Sequence, residues 1–333
     1  MGETSPFGTT LESEDPVIEL EYDVIVEAAA RISGRIRPLT VAPVGSPLTW
    51  AREAEVSFAL EFLQHTGTFK ARGAQNFIRA HRESGQLPDA GVTIASGGNA
   101  GLACAWAARD QNVSATVFLP RTAPRVKVAR LEGYGATVRL VGDEYADALA
   151  ACEEFAAESG ALTSHAYDHP LIAAGAGTLM LELNAALPDL DTVVVAVGGG
   201  GLFAGVAAVA ERHGVRVVAV EPENCRSLNA AIAAGMPVDV AVDSIAGDSL
   251  GARRVSQMAL LQAQRGDVTS ILVPDDEIVA ARQSLWDDHR IVVEHAAATA
   301  LAGISGAGGY RPARGERGCG VLCGANTDPR DLA

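Results

Sequence analysis

Three short runs bring together residues whose types and spacing could do chemistry. The first is VVVAVGGGGLFA from Val193 to Ala204, where an apolar strand hands over to a helix through Gly198, Gly199, Gly200 and Gly201. Backbone N–H groups in such a turn, with the positive end of the following helix, make an anion cradle that needs no cationic side chain. Gly199, Gly201 and Ala204 also satisfy G-x-G-x-x-A, with Glu221 about 20 residues onward, so a dinucleotide fingerprint is one reading and a purely structural turn another. The second run is ASGGNAG from Ala95 to Gly101, where Ser96 and Asn99 could grip a carboxylate or a cofactor oxygen, or Asn99 could simply cap a helix. In the third, QHTGTFKARGA from Gln64 to Ala74, Lys70 stands between Phe69 and Ala71. A lone lysine is ordinarily a solvated charge. Partly desolvated beside an aromatic and two anion-binding turns, its amine would be freed for Schiff-base chemistry.

The elements that must position these runs follow from periodicity. Apolar positions at helical spacing predict a first helix over Val24 to Ile36, stopped at Arg37-Pro38, after a loose acidic tail up to about Pro16. From Val92 onward strands and helices alternate: strands at Val92–Ala95, Ala115–Leu119 and Thr137–Val141, with helices near 100–110, 123–132 and 146–158. A second series follows, with strands at Val193–Val197, Arg216–Val220, Val268–Val273 and Gly320–Leu322, and helices near 171–186, 202–212, 227–234, 254–264, 276–288 and 296–304. The stretch from Gly306 to Gly318 reads as a surface loop. Short apolar strands separated by helices imply an α/β fold with parallel sheets. Two such units suggest two lobes with a site between them, at the carboxyl ends of strands.

Composition removes several classes of function. The chain has 333 residues, 48% of them hydrophobic, with 35 glycines and a net charge of −15. That charge opposes binding to nucleic acid or an anionic membrane. The 19-residue uncharged stretches Ala90–Ala108 and Thr192–Ala210 are each broken by glycines, so they read as strand, turn and helix rather than membrane spans. Five cysteines, at 104, 152, 225, 319 and 323, are too sparse for a disulfide framework and favour a cytoplasmic location. Met1 to Glu21 lacks the basic start and apolar block of an export signal.

Taken in order, the runs resemble a family. Gln64–Ala74, Ser96–Gly101, Gly198–Leu202 and Cys323–Asn326 are similar to the four successive motifs of the fold-type II pyridoxal-phosphate (PLP) enzymes, in the serine/threonine dehydratase and serine racemase branch. The resemblance spans roughly Arg31 to Asn326. It implies a two-lobed, three-layer parallel-sheet fold like that of tryptophan synthase β, with residues 92–164 as a small domain inserted in a large one made of 1–91 and 165–333. No carboxy-terminal regulatory domain is expected. The resemblance makes Lys70 the Schiff-base lysine and stacks Phe69 on the pyridine ring. It sets the backbone of Gly198–Gly201 and Leu202 around the phosphate, Asn99 on the 3′-oxygen and Cys323 toward the pyridine nitrogen. Ser96, Gly97, Asn99 and Ala100 would receive the substrate carboxylate. Glu221 and the Cys225 carbonyl match a segment that supplies a cation site in relatives, although Ser227 stands where some members have an acidic residue.

The activity so implied is dehydration and deamination of L-threonine or L-serine by a homodimer. Serine racemases of this branch carry a serine where this chain has Gly97, so elimination is favoured over inversion. The same runs are also compatible with a dehydratase of another β-hydroxy amino acid such as 3-hydroxyaspartate, a β-replacement synthase, a nicotinamide oxidoreductase and a non-catalytic ligand sensor. Departures from the pattern are Thr68 for serine, and His295 in the VEHA run where proline is common in relatives. His165 and His169 have i,i+4 spacing suited to a metal if helical, Cys319 and Cys323 lack a second pair for structural zinc, and Asp243, Asp248 and Ser249 fall near the expected cleft.

Overall fold

A computed structural model of the protein describes residues 19–44 and 54–332. The acidic tail up to Pro16, and most of the amino-terminal stretch without an export signal, lie outside the described residues. Helix α1 (Tyr22–Ile32) leads to β1 (Val41–Pro43) and β2 (Glu55–Ala59), and two single 3-10 turns connect β2 to α2 (Lys70–Glu83). Then come β3 (Val92–Ala95), α3 (Asn99–Asp110), β4 (Ala115–Leu119), α4 (Arg125–Gly133), β5 (Thr137–Leu140), α5 (Tyr145–Ser159) and β6 (Leu162–Thr163). The next elements are α6 (Pro170–Ala186), β7 (Thr192–Ala196), α7 (Gly201–His213), β8 (Arg216–Pro222), α8 (Ser227–Ala234) and α9 (Gly247–Leu250). The series closes with α10 (Gln257–Arg265), β9 (Val268–Val273), α11 (Asp275–His289), α12 (His295–Ile304) and β10 (Arg317–Val321).

The strands form two sheets. Four pair in the order β5-β4-β3-β6, all parallel, and six in the order β1-β2-β10-β7-β8-β9, parallel except where β1 meets β2. Every residue of β7 is buried, as a central parallel strand covered on both faces requires. Helices α6 and α7 approach at glycine: a Cβ on Gly205 would lie 2.5 Å from the Ala173 carbonyl and 2.6 Å from Gly177 Cα. That close approach seats α7, and with it the four-glycine turn that opens the helix.

Helix α2 is held by charge. Arg72 is fully buried and its guanidinium donates to Glu61 and Glu182 at 2.6 Å each and to Thr178 at 3.1 Å, tying the first turn of α2 to α6. A buried arginine is tolerated only with such partners. Burial drives the Glu61 carboxyl above its usual range, against the pull of Arg72.

Several boundaries differ from the sequence expectation. Helix α1 stops at Ile32, not at Arg37-Pro38, because Gly34 takes a left-handed turn with φ 71°. Helix α10 begins at Gln257, where the Ser256 hydroxyl accepts the Ala259 N–H, rather than near Arg254. The loop from Gly306 ends earlier than expected because Arg317 and Gly318 already pair with β2. Elements β1, β2, β6 and α2 have no counterpart in the periodicity.

Candidate active site

A cavity of about 850 Å³ opens where β3 and β7 end and α3 and α7 begin, and all three runs reach it. Lys70 is the first residue of α2. Its Nζ donates to the Ala166 carbonyl at 2.9 Å and lies 4.8 Å from the centre of the Phe69 ring. Burial pulls the amine down from 10.5 to about 8, the neighbouring Cys323 and Glu294 acting weakly in the other direction. A cation that has lost water without gaining a close anion is easier to deprotonate.

The four-glycine turn forms the wall facing the lysine. A Cβ at Gly199 would fall 2.3 Å from the Tyr167 ring, one at Gly198 would fall 2.9 Å from Leu250 Cα, and Gly200 has φ 93°. The turn is braced from outside by the Ser227 hydroxyl on the Gly198 carbonyl (2.9 Å) and the Ser256 N–H on the Gly199 carbonyl (3.0 Å). With carbonyls held outward, and as the first turn of a helix, the N–H groups of Gly199, Gly200, Gly201 and Leu202 have no partner among the described residues. This is a preformed anion site without a cationic side chain.

Opposite, Ser96, Gly97, Gly98, Asn99 and Ala100 line the cavity at the start of α3. Asn99 does not follow the simpler expectation of helix capping: it is the first residue of α3 and its side chain caps nothing. Its Nδ2 donates to Glu294 Oε1 and Oε2 at 3.0 and 2.9 Å, and its Oδ1 accepts from Asn326 Nδ2 at 2.7 Å. A Cβ at Gly97 would come 2.7 Å from a Leu119 methyl, so that position is filled from the side by Leu119. Cys323, just past β10, lines the cavity with a buried thiol that burial pushes up to about 12.

Other residues singled out in the sequence take different places. Glu221 is fully buried and its two oxygens accept the N–H groups of Leu228 and Asn229 at 2.8 Å each, at the start of α8. It therefore cannot reach a ribose, and the dinucleotide reading fails at its acidic residue. Burial raises this carboxyl to about 7. The Cys225 thiol donates to the Leu250 carbonyl at 2.9 Å, behind the glycine turn. His165 and His169 do not share a helix: His165 Nδ1 accepts the Tyr167 and Asp168 N–H groups, and His169 Nδ1 caps α6 through Leu171. Among the described residues no group of three or more His, Cys, Asp or Glu could hold a metal. His295 begins α12 outside the cavity, whereas Asp248 and Ser249 line it and Asp243 does not. Glu294, Tyr167, Leu119 and Tyr145 line the cavity without any sequence signal having marked them.

Comparison with known proteins agrees on the family. The profile described as "Pyridoxal-phosphate dependent enzyme" matches residues 39–324. A mouse protein (Mus musculus) named serine dehydratase-like is 39% identical over 249 residues, 73% of this chain and 74% of the relative. The L-threonine ammonia-lyase of Geobacter sulfurreducens is 33% identical over 325 residues, 94% of this chain and 77% of the relative. The solved structure of maize serine racemase superposes with a TM-score of 0.86 at 27% identity, over 95% of this chain and 96% of the racemase.

Proposed function

The chain belongs to the pyridoxal-phosphate dependent enzymes, and on that premise we propose that it is an ammonia-lyase. It would eliminate water from L-threonine, L-serine or both, and water would then return to hydrolyse the released imine, giving ammonia and 2-oxobutanoate or pyruvate. The cavity fits the cofactor on its own terms. The glycine turn offers unpartnered N–H groups to a phosphate in a space where no Cβ can stand, and Lys70 offers a buried amine of lowered basicity across the cavity.

When bound, PLP withdraws electrons from the α-carbon of an amino acid. The rest falls to the protein. In this reading the Gly198–Leu202 backbone would hold the phosphate, Phe69 would lie against the pyridine face, Asn99 would donate from Nδ2 to the 3′-oxygen and Cys323 would face the pyridine nitrogen. The turn of Ser96, Gly97, Asn99 and Ala100 receives the substrate carboxylate at the positive end of α3. Lys70 Nζ, its basicity lowered by burial, would take the α-proton. A thiol as weakly acidic as Cys323 would stay neutral beside the ring nitrogen, and a neutral partner there would favour prompt loss of a β-hydroxyl.

Position 97 carries the choice of elimination. It lines the cavity as glycine, and Leu119 occupies the space a side chain would need, so this position offers no hydroxyl to reprotonate the α-carbon. Racemisation is the rival, given the maize neighbour. Incubation with L-threonine and L-serine, reading 2-oxo acid, ammonia and D-amino acid together, decides between them: D-serine without oxo acid refutes the lyase. The division into two sheets supports residues 92–164 as a small lobe set into a larger one. Five buried thiols without a disulfide support a cytoplasmic enzyme, and the branch supports a homodimer.

A further inference from the structure

Glu294 occupies the N-cap position of α12 but makes no side-chain cap there. A carboxylate at that position ordinarily accepts the first free N–H groups of its helix. Here it turns into the cavity instead and is buried, gathering donors from three other segments: Asn99 Nδ2, the Ser249 hydroxyl at 2.8 Å and the Asn326 backbone N–H at 2.7 Å.

The polarity of this network admits one arrangement. The Thr66 carbonyl can only accept, so Asn326 presents Nδ2 to it at 2.8 Å, and the Arg130 guanidinium donates to Asn326 Oδ1. The second Nδ2 hydrogen of Asn326 then goes to Asn99 Oδ1. Asn99 is left with its Nδ2 toward Glu294, where a carboxylate can accept and an amide or hydroxyl could equally donate. One Asn99 hydrogen is consumed by the two Glu294 oxygens. The other has only the Ser249 hydroxyl at 3.5 Å, too long for a good bond, and stays available to a ligand.

We propose that Glu294 is a positioning residue that fixes the rotation of the Asn99 amide, so that its free N–H is presented to the cavity and its oxygen is turned away. The proposal rests on the reading of Asn99 as the donor to the cofactor's 3′-oxygen. With glutamine at 294 one rotation sets an NH₂ where Oε2 stands, 2.9 Å from Asn99 Nδ2, and the other sets it against both Asn99 Nδ2 and the Asn326 N–H. With aspartate the acceptor survives.

The test uses the cofactor-loaded protein and reads the position of its visible absorption band between pH 6 and 9 and the rate of cofactor loss on dilution. Asn99→Ala is expected to move the band and speed release by about tenfold; Glu294→Gln should move it the same way, with release roughly threefold faster or more, and the double variant should match Asn99→Ala within about twofold. Glu294→Asp should bring the band back toward its original position. If Glu294→Gln leaves band and release unchanged while Asn99→Ala alters both, or if their effects add, the clamp is wrong and the Asn99 reading survives. If Asn99→Ala alters neither, that reading falls and the proposal with it. Should Glu294→Gln not fold by circular dichroism, Asn326→Ala removes the other side of the clamp, and an unmoved band overturns the proposal.

Discussion

Lys70 gives the most direct quantitative test of the site. Its amine sits near 8 instead of 10.5 because burial penalises the ammonium. At pH 7 about one such amine in ten is neutral, against about one in three thousand for an ordinary lysine, a difference of roughly 300-fold in reactive form. Competitive labelling of protein stripped of cofactor, with a small acylating reagent and mass-spectrometric readout at Lys70, should therefore give a pH profile with its midpoint at about 8. The same shift has a signed effect on stability. Between pH 8 and 10.5 the unfolded chain keeps a proton on Lys70 that the folded chain has released, so this residue's contribution to the stability of the stripped protein rises with pH across that window, against the opposite contribution of the buried thiols. The full shift corresponds to about 3 kcal/mol, and less is expected because the amine still touches cavity solvent. Lys70→Met should remove that contribution, so the stability of the stripped protein relative to this variant should rise between pH 8 and 10.5. A labelling midpoint near 10.5, or a stability relative to Lys70→Met that does not change across the window, refutes the reasoning.

Other expectations follow from single contacts. Gly199→Ala drives a methyl to within 2.3 Å of the Tyr167 ring, so retention of pyridoxal phosphate in equilibrium dialysis should fall by about tenfold or more, with helix content by circular dichroism preserved. Gly97→Ser restores a hydroxyl at the cavity wall only by displacing the Leu119 methyl, and paired with Leu119→Ala it should raise the ratio of D-serine to pyruvate in a chiral assay. Arg72→Met leaves Glu61 and Glu182 facing no cation and should cost about 3–5 kcal/mol in urea unfolding, most of it recovered when Glu61 and Glu182 become Gln. Glu221, held near 7 when folded and near 4.5 when unfolded, binds a proton only in the folded state between those values. Its contribution to stability should thus decline as pH rises from 4.5 to 7, so the stability of the protein relative to Glu221→Gln should fall across that range in thermal denaturation.

What the sequence made legible depended on how local the physics was. Strand β7 and the turn after it stand out because an apolar run ends in four glycines, and the same holds for β3 and Ser96–Gly101. Helix α2 escaped because Arg72, Gln75 and Asn76 face inward, satisfied by partners far along the chain, which erases the apolar stripe that periodicity looks for. Strand β2 has five residues and pairs with β10 across most of the chain, and nothing in EVSFA announces that partner. Glu294 reads as an ordinary residue before a helix; its meaning depends on Asn99, 195 positions earlier, and on which way an amide faces. Lys70 is marked by its company of glycine turns, and its lowered basicity comes from burial that only the assembled cavity supplies.

The strand order also sets a timetable for making the protein. Strand β10 lies between β2 and β7, so the middle of the six-stranded sheet is one of its last pieces to leave the ribosome. About 260 residues separate Ala59 from Arg317. At ordinary synthesis rates β2 waits roughly 15 to 50 seconds for its neighbour, with one edge of its backbone unpaired. Cys323 and Asn326 arrive later still. Until then the nascent chain can assemble the four-stranded sheet and the glycine turn but not the finished pocket, and the edge of β2 that β10 will cover stays open.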